Sequence, residues 1–452
     1  MHRTSADLLE FEELKQLLGR YVAGPLGRIE LEALQPSSDR ALLEFALGEL
    51  DEAIQFSRTV GRVPLGGLVD STEAIQRLRI EGAGLEAREI ADVTVFLQRA
   101  TEVKLLLSDE QQALTRLVAR AGRMGDFRGL LREIGGKVLA NGTIADDASV
   151  ALNRLRRDIE KQQRSIHHSL EKFLKANRDE GILQEEYVTI RNERFVVPVV
   201  AGQKRRVDGV IHGASSSGQT LFMEPLETID LNNELVRLKD EEMREVHRIL
   251  REITDRLRAD AALIRQTLQV VRELDLLFAK ASFALDFDCV IPRFSSRIHL
   301  KDARHPLLQD VLRKQSRRVV PVPLPLDQQQ RMLLISGPNT GGKTVSMKTV
   351  GLLALMAHAG LAVPAAEAEF QSRPGACRHR DQQSIEQSLS SFSSHIACIR
   401  EMVEDATADS LVLLDELGRA TDPEEGGASA SRFSTTSVAF APSPWRPRTF
   451  SP

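Results

Sequence analysis

The sequence predicts a multidomain fold: an all-α core, a long-helix coiled-coil arm carrying a small β module, and then an α/β phosphate-loop domain. Three observations predict it. Apolar residues recur at helical spacing through residues 8–120. Two long amphipathic stretches flank a Val-rich, β-like interlude. Finally, Gly337-Pro338-Asn339-Thr340-Gly341-Gly342-Lys343-Thr344 fits the pattern G-x-x-x-x-G-K-[ST].

At 452 residues the chain has room for several domains. Lys and Arg number 60 against 64 Asp and Glu, so any contact with a polyanion must come from local patches. Cys289, Cys377 and Cys398 lack metal-ligand spacing, which points to reduced thiols and a cytoplasmic protein. No signal-peptide pattern opens the chain and no run reaches membrane-spanning length, so no membrane partner is expected. Aromatic residues make up 4% of the chain, too few for base stacking to dominate any nucleic-acid contact.

In the core, Leu8, Leu9, Phe11, Leu14, Leu17 and Leu18 lie on one helical stripe. Ser37-Ser38-Asp39 offers an N-cap to a helix through Leu42, Leu43, Ala46, Leu50 and Ile54. Gly61 to Gly67 reads as a loop. In the arm, Leu152, Leu155, Ile159, Ile166 and Phe173 occupy heptad a and d positions, with Gln162 and Ser169 interrupting the seam. A second long helix is expected from Leu231 to Ala284, striped by Leu235, Val246, Ile249, Ile253 and Leu257. The pair forms either an antiparallel arm or two ordinary helices of a bundle.

Between them, Tyr187 to Ile190 and Phe195 to Val200 flank Arg191-Asn192-Glu193-Arg194, a hairpin turn, and Val207 to Ile211 is a further strand. Arg191, Arg194, Lys204, Arg205 and Arg206 make the module a candidate DNA-binding surface through phosphate contacts. A solvated, charged hairpin is the equal alternative.

The phosphate loop has the right flanks. Met332 to Ile335 is a buried strand, and Val345 to Leu353 continues as a helix. This order aims backbone N–H groups and a helix N-terminus at phosphate oxygens. Lys343 would reach the outer phosphates and the Thr344 hydroxyl would hold Mg²⁺. Downstream, Ser410 to Leu414 is an apolar strand ending in Asp415-Glu416. Asp415 would bind the metal, and Glu416 would act as the catalytic base toward the attacking water. ATP and Mg²⁺ are the expected cofactors.

Together, Gly337 to Thr344, Gln383-Ser384-Ile385-Glu386-Gln387-Ser388-Leu389-Ser390 and Leu413-Leu414-Asp415-Glu416-Leu417-Gly418-Arg419-Ala420-Thr421-Asp422 resemble the ATPase of the bacterial MutS family. The Gln383 to Ser390 run resembles its MutS-two branch, the endonuclease MutS-two-like proteins. So do Leu9-Glu10-Phe11 near the start, Thr189-Ile190-Arg191-Asn192, and Leu231-Asn232-Asn233-Glu234-Leu235. The resemblance implies a helical core at 1–147, lever helices and a β clamp at 148–284, and an ABC-type ATPase at 285–428. It implies a homodimer in which Ser390 of one subunit completes the other's nucleotide site. The roles implied are ATP-dependent binding of branched or mismatched DNA, suppression of recombination, and an rRNA-binding, ribosome-rescue activity.

The sequence departs from the family pattern at two places. Only Asp381 stands where the family carries Asp-Ile-Gly-Asp, and Ala376 to Arg380 can be encoded so that a shifted frame restores Ala-Asp-Ile-Gly. The pattern stops at Ala428, and residues 429–452 read as an aberrant, disordered, frame-shifted tail. On that reading the ATPase domain is incomplete, a family histidine and the nuclease domain are absent, and turnover and solubility are expected to be poor. The alternatives are a non-catalytic truncated remnant that binds only nucleotide or DNA, and a chromosome-maintenance ATPase, which the short arm disfavours.

Overall fold

The computed structural model describes residues 5–108, 114–178, 181–326, 332–335, 342–371, 375–380, 410–414 and 437–440. It opens with helices α1 (Ser5–Leu8), α2 (Phe11–Leu18), α3 (Pro25–Glu32), α4 (Arg40–Thr59), α5 (Thr72–Arg77), α6 (Ala87–Leu107), α7 (Thr115–Gly122) and α8 (Arg128–Ile134). The stripe on α2 buries Phe11, Leu14, Leu17 and Leu18, as the spacing predicts. The cap of α4 is Asp39, whose carboxylate accepts the N–H groups of Ala41 and Leu42.

Next comes α9 (Val150–Ala176), capped by Ser149, which accepts from the Leu152 N–H. Strands β1 (Thr189–Arg191), β2 (Arg194–Val200), β3 (Gly209–Ala214) and β4 (Thr220–Pro225) follow, then α10 (Leu226–Ala259) and α11 (Ala261–Asp286). The four strands form an antiparallel sheet in the order β1-β2-β4-β3. Asn192 and Glu193 both take positive φ, 48° and 63°, which closes β1 onto β2 in a two-residue turn.

Helix α9 packs along α10, and the sheet shares their core. Ile159, Ile166, Leu170 and Leu174 of α9 meet Val197, Val199 and Met223 of the sheet and Leu235 and Leu238 of α10. Gln162, which breaks the apolar seam, donates to the Leu231 carbonyl at 2.8 Å, so the polar group enters the seam with a partner. The single helix expected from Leu231 to Ala284 is corrected to two. The break falls at Asp260, which leaves helical geometry at ψ 11°. Asp is a weak helix former at an interior position.

The remaining elements are β5 (Arg293–Ser295), β6 (Ile298–Ala303), α12 (Pro306–Lys314), β7 (Val322–Leu326), β8 (Met332–Ile335), α13 (Lys343–His358), β9 (Glu367–Gln371), β10 (Gly375–Arg380), β11 (Ser410–Leu414) and β12 (Ser437–Phe440). They build two sheets, β5-β9-β6-β7 and β10-β11-β12-β8. Strand β12 lies within the 429–452 segment that the sequence reading expects to be disordered.

The chain divides into two compact units. One comprises residues 1–70, 99–125 and 266–452, and the other residues 71–98 and 126–265. In the first, α11 supplies much of the core. Phe278 meets Phe56 edge-on with ring centroids 5.6 Å apart, and Phe283 stacks on Phe287 at 4.5 Å. Among the described residues no helix is long and apolar enough to cross a membrane.

Candidate functional site

Strand β8 leads into the phosphate loop and α13 leads out of it. Gly337, Pro338, Asn339, Thr340 and Gly341 lie outside the described residues. Gly342 stands at the N-cap of α13 with φ 81° and ψ 16°, a left-handed conformation that a side chain resists. Lys343 and Thr344 are the first two residues of the helix and are half-buried. Gly342 has no side chain with which to cap this N-terminus. A helix N-terminus of this kind, with the positive end of its dipole, is a setting that favours an anion. Ser346 closes the turn, its N–H and hydroxyl donating to the Gly342 carbonyl at 2.9 and 3.0 Å.

The sequence expects the second half of the site just after β11. Leu414 pairs with Val438 of β12, and Val438 pairs in turn with Leu334 of β8. Strand β12 is antiparallel to both neighbours, so β8 and β11 run in the same direction. Their carboxyl ends reach one sheet edge at the same level, about 10 Å apart at two strand spacings. Asp415, Glu416 and Ser390 lie outside the described residues.

The described residues fit an anionic phosphate at Gly342 to Thr344, because a helix N-terminus follows directly on a left-handed glycine. The Thr344 hydroxyl is a hard oxygen suited to Mg²⁺. Among the described residues no group of three or more His, Cys, Asp or Glu could hold a metal ion.

Helix α13 packs against β10, β11 and β12. Residues distant in sequence engage it further along. Lys348 pairs with Glu10 at 2.8 Å. Gly351 faces Leu9 and Leu413, and a β-carbon there would stand 2.6 Å from Leu9 Cδ2 and 2.7 Å from Leu413 Cδ1. Lys280 of α11 donates to the carbonyls of Ala359 and Gly360 at 3.2 and 3.3 Å. Burial pushes the Lys280 ammonium down to about 8, against a raising influence of Glu49. His305, buried beside Glu10 and Lys348, is pushed down to about 4, chiefly by desolvation.

In the β module the basic residues separate into two groups. Lys204, Arg205 and Arg206 are exposed together on a 3₁₀ turn, Ala201–Arg206. Arg191 is exposed too, its guanidinium carbon 4.3 Å from the centroid of the Phe222 ring. Arg194 is drawn inward. It donates to both carboxylate oxygens of Glu224, at 2.8 and 3.1 Å, and to Asn233. Glu224 is 1% exposed and also meets His212 Nε2 at 2.6 Å. A buried carboxylate needs such partners, so Arg194 neutralises a charge inside the module instead of offering one at its surface. Sequence reasoning grouped Arg194 with the surface cations because Glu224 lies 30 residues away. A lone acid inside an apolar strand, Thr220–Pro225, is the signal that would have found the pair.

Residues 333–438 match the family model described as MutS domain V. Three similar proteins are each named endonuclease MutS2. The one from Geobacillus sp. (strain WCH70) is 36% identical over 438 residues, covering 95% of this chain and 55% of the relative. That from Bacillus velezensis is 38% identical over 432 residues, 93% of this chain and 54% of the relative. That from Symbiobacterium thermophilum is 38% identical over 429 residues, 93% and 52%. The chain thus spans about half the length of the relatives it matches.

Proposed function

We propose, from the premise that the chain is MutS2-like over 95% of its length, that it is an ATP-binding, DNA-binding ATPase of MutS type. The observation that carries this reading is the shared sheet edge. Strand β8 ends there just before the G-x-x-x-x-G-K-T loop in sequence, and β11 ends at the same level at Leu414, the residue before Asp415-Glu416 in sequence. In open α/β sheets ligands bind outside the carboxyl ends of the strands, and a helix N-terminus beside that edge favours phosphate.

In this proposal the backbone of Gly337 to Gly342 cradles phosphate oxygens and Lys343 neutralises the outer ones. Thr344 and Asp415 hold Mg²⁺, which when bound offsets charge on the phosphates. Glu416 accepts a proton from, or orients, the attacking water. Ser390 of a second copy completes the site, so the working form is a homodimer whose closure on DNA follows nucleotide occupancy. The functional division is a helical core at 1–147, lever helices and clamp at 148–284, and an ATPase domain from 285. Lys204, Arg205 and Arg206, with Arg191, contact the DNA backbone and confer no base specificity.

The test is equilibrium titration of the purified protein with a fluorescent ADP analogue and Mg²⁺. Saturable binding that Lys343→Ala weakens by at least about tenfold, or 1.4 kcal/mol, is expected. Equal titration curves for both proteins would sink the reading.

A further inference from the structure

We infer that the Leu9–Glu10 turn is a positioning element for the nucleotide-binding end of α13, so that anchoring of the turn and occupancy of the phosphate loop are thermodynamically linked. The inference rests on the nucleotide reading of the loop.

Three contacts converge on one stretch of α13. The Glu10 carboxylate accepts Lys348 Nζ at 2.8 Å, with both side chains half-buried. Leu9 is fully buried, and the helix surface is pared to a glycine at Gly351 to admit it. Leu413 reaches the same glycine. Leu413 lies two positions before Asp415, and Lys348 lies about 8 Å along the helix axis from Lys343. Leu9 and Leu413 therefore meet α13 at the same glycine, one from the turn and one from the strand that precedes the acids in sequence.

The turn is held in a form that it would not choose alone. Glu10 takes φ 62° and ψ 36°, left-handed for a residue with a β-carbon, and its N–H reaches the Asp7 carbonyl at 3.3 Å. Such a conformation persists where surrounding contacts over-determine it. At the far end of α13, Lys280 holds the Ala359 and Gly360 carbonyls. A helix held at its end and contacted along its side has its position set by both attachments. A shift of its N-terminus toward a phosphate must then be felt at Leu9 and Glu10, and the linkage is reciprocal.

The experiment uses the full chain and the same fluorescent ADP analogue with Mg²⁺, on the parent, Glu10→Gln, Lys348→Gln and the charge swap Glu10→Lys with Lys348→Glu. Each single change is expected to weaken binding about fivefold, and the swap to recover most of the loss. Hydrogen exchange across residues 7–18 should slow on nucleotide addition in the parent and not in Lys348→Gln. Unchanged affinity together with unchanged nucleotide-dependent protection in the variants overturns the inference. Should the parent and Lys343→Ala both fail to bind, the nucleotide reading fails first. The positioning role is then decided by exchange without nucleotide. Glu10→Gln should speed exchange at residues 343–350 while leaving α4 unaltered, and no local change there overturns it.

Discussion

The Asp275 carboxylate of α11 accepts the backbone N–H of Gly27 at 3.1 Å, through the same Oδ2 that accepts from Gly24 at 3.2 Å. Oδ1 takes the Ala23 N–H at 2.8 Å. Helix α3 has Gly24 at its N-cap and so no side chain of its own there. Asp275 caps it from a distant segment, close enough that a β-carbon on Gly27 would sit 2.5 Å from Asp275 Cγ.

Asp275→Ala should therefore destabilise the protein by about 2–4 kcal/mol, since it strands buried donors that bonded to a charged group. Gly27→Ala should also destabilise, by displacing the carboxylate, and the double variant should lose less than the sum. Urea denaturation midpoints measure all three. An Asp275→Ala midpoint equal to the parent's would show that water replaces the carboxylate without loss.

Within the β module, Glu224 and Arg194 should behave as a pair. Glu224→Ala leaves the Arg194 guanidinium and His212 without their buried acceptor and should cost about 3–5 kcal/mol. Trypsin cleavage after Arg194 should quicken accordingly. Neutralising Lys204, Arg205 and Arg206 together should lower DNA affinity and flatten its dependence on salt. A stable Glu224→Ala variant, or a salt slope that the triple change leaves unaltered, would contradict this division of labour.

Lys280 makes a stability-versus-pH prediction. Its folded value is pushed from the usual 10.5 to about 8. Between those values the unfolded chain binds the proton and the folded one does not. Stability should rise with pH across that window, as a burial penalty present at neutral pH is relieved. Lys280→Met should remove this rise, and denaturation of parent and variant at pH 7.5 and 10 tests it. Parallel pH profiles would refute the assignment.

His305 works in the acid range. Its folded value of about 4 lies below the usual 6.5, so the unfolded state takes up a proton first as pH falls through that window. Stability should fall from pH 6.5 toward 4, and His305→Gln should fall less steeply. His358, also pushed down by burial, should retain part of the slope in that variant. Thermal midpoints at pH 7 and 4.5 read the difference, and identical acid sensitivity would rule out a role for His305.

The sequence by itself determined several of the elements and marked the phosphate-loop motif, because these depend on neighbours in the chain, whereas the break at Asp260 and strand β12 escaped it. Helical periodicity placed α2 and α9, the cap residue Asp39 set the start of α4, and the glycine pattern with Lys343 and Thr344 marked the loop before α13. What spans long separations was decided only by the tertiary structure. Gln162 could be read as a flaw in the seam, yet its amide meets the Leu231 carbonyl across the helix pair. Arg194 could be read as a surface cation, yet Glu224 claims it. Glu10 and Lys348, 338 residues apart, carry no local signal of each other. A charge on a polar stripe looks the same whether it ends in water or in a partner. Only packing, which fixes the partner's distance and removes the competing water, tells the two apart.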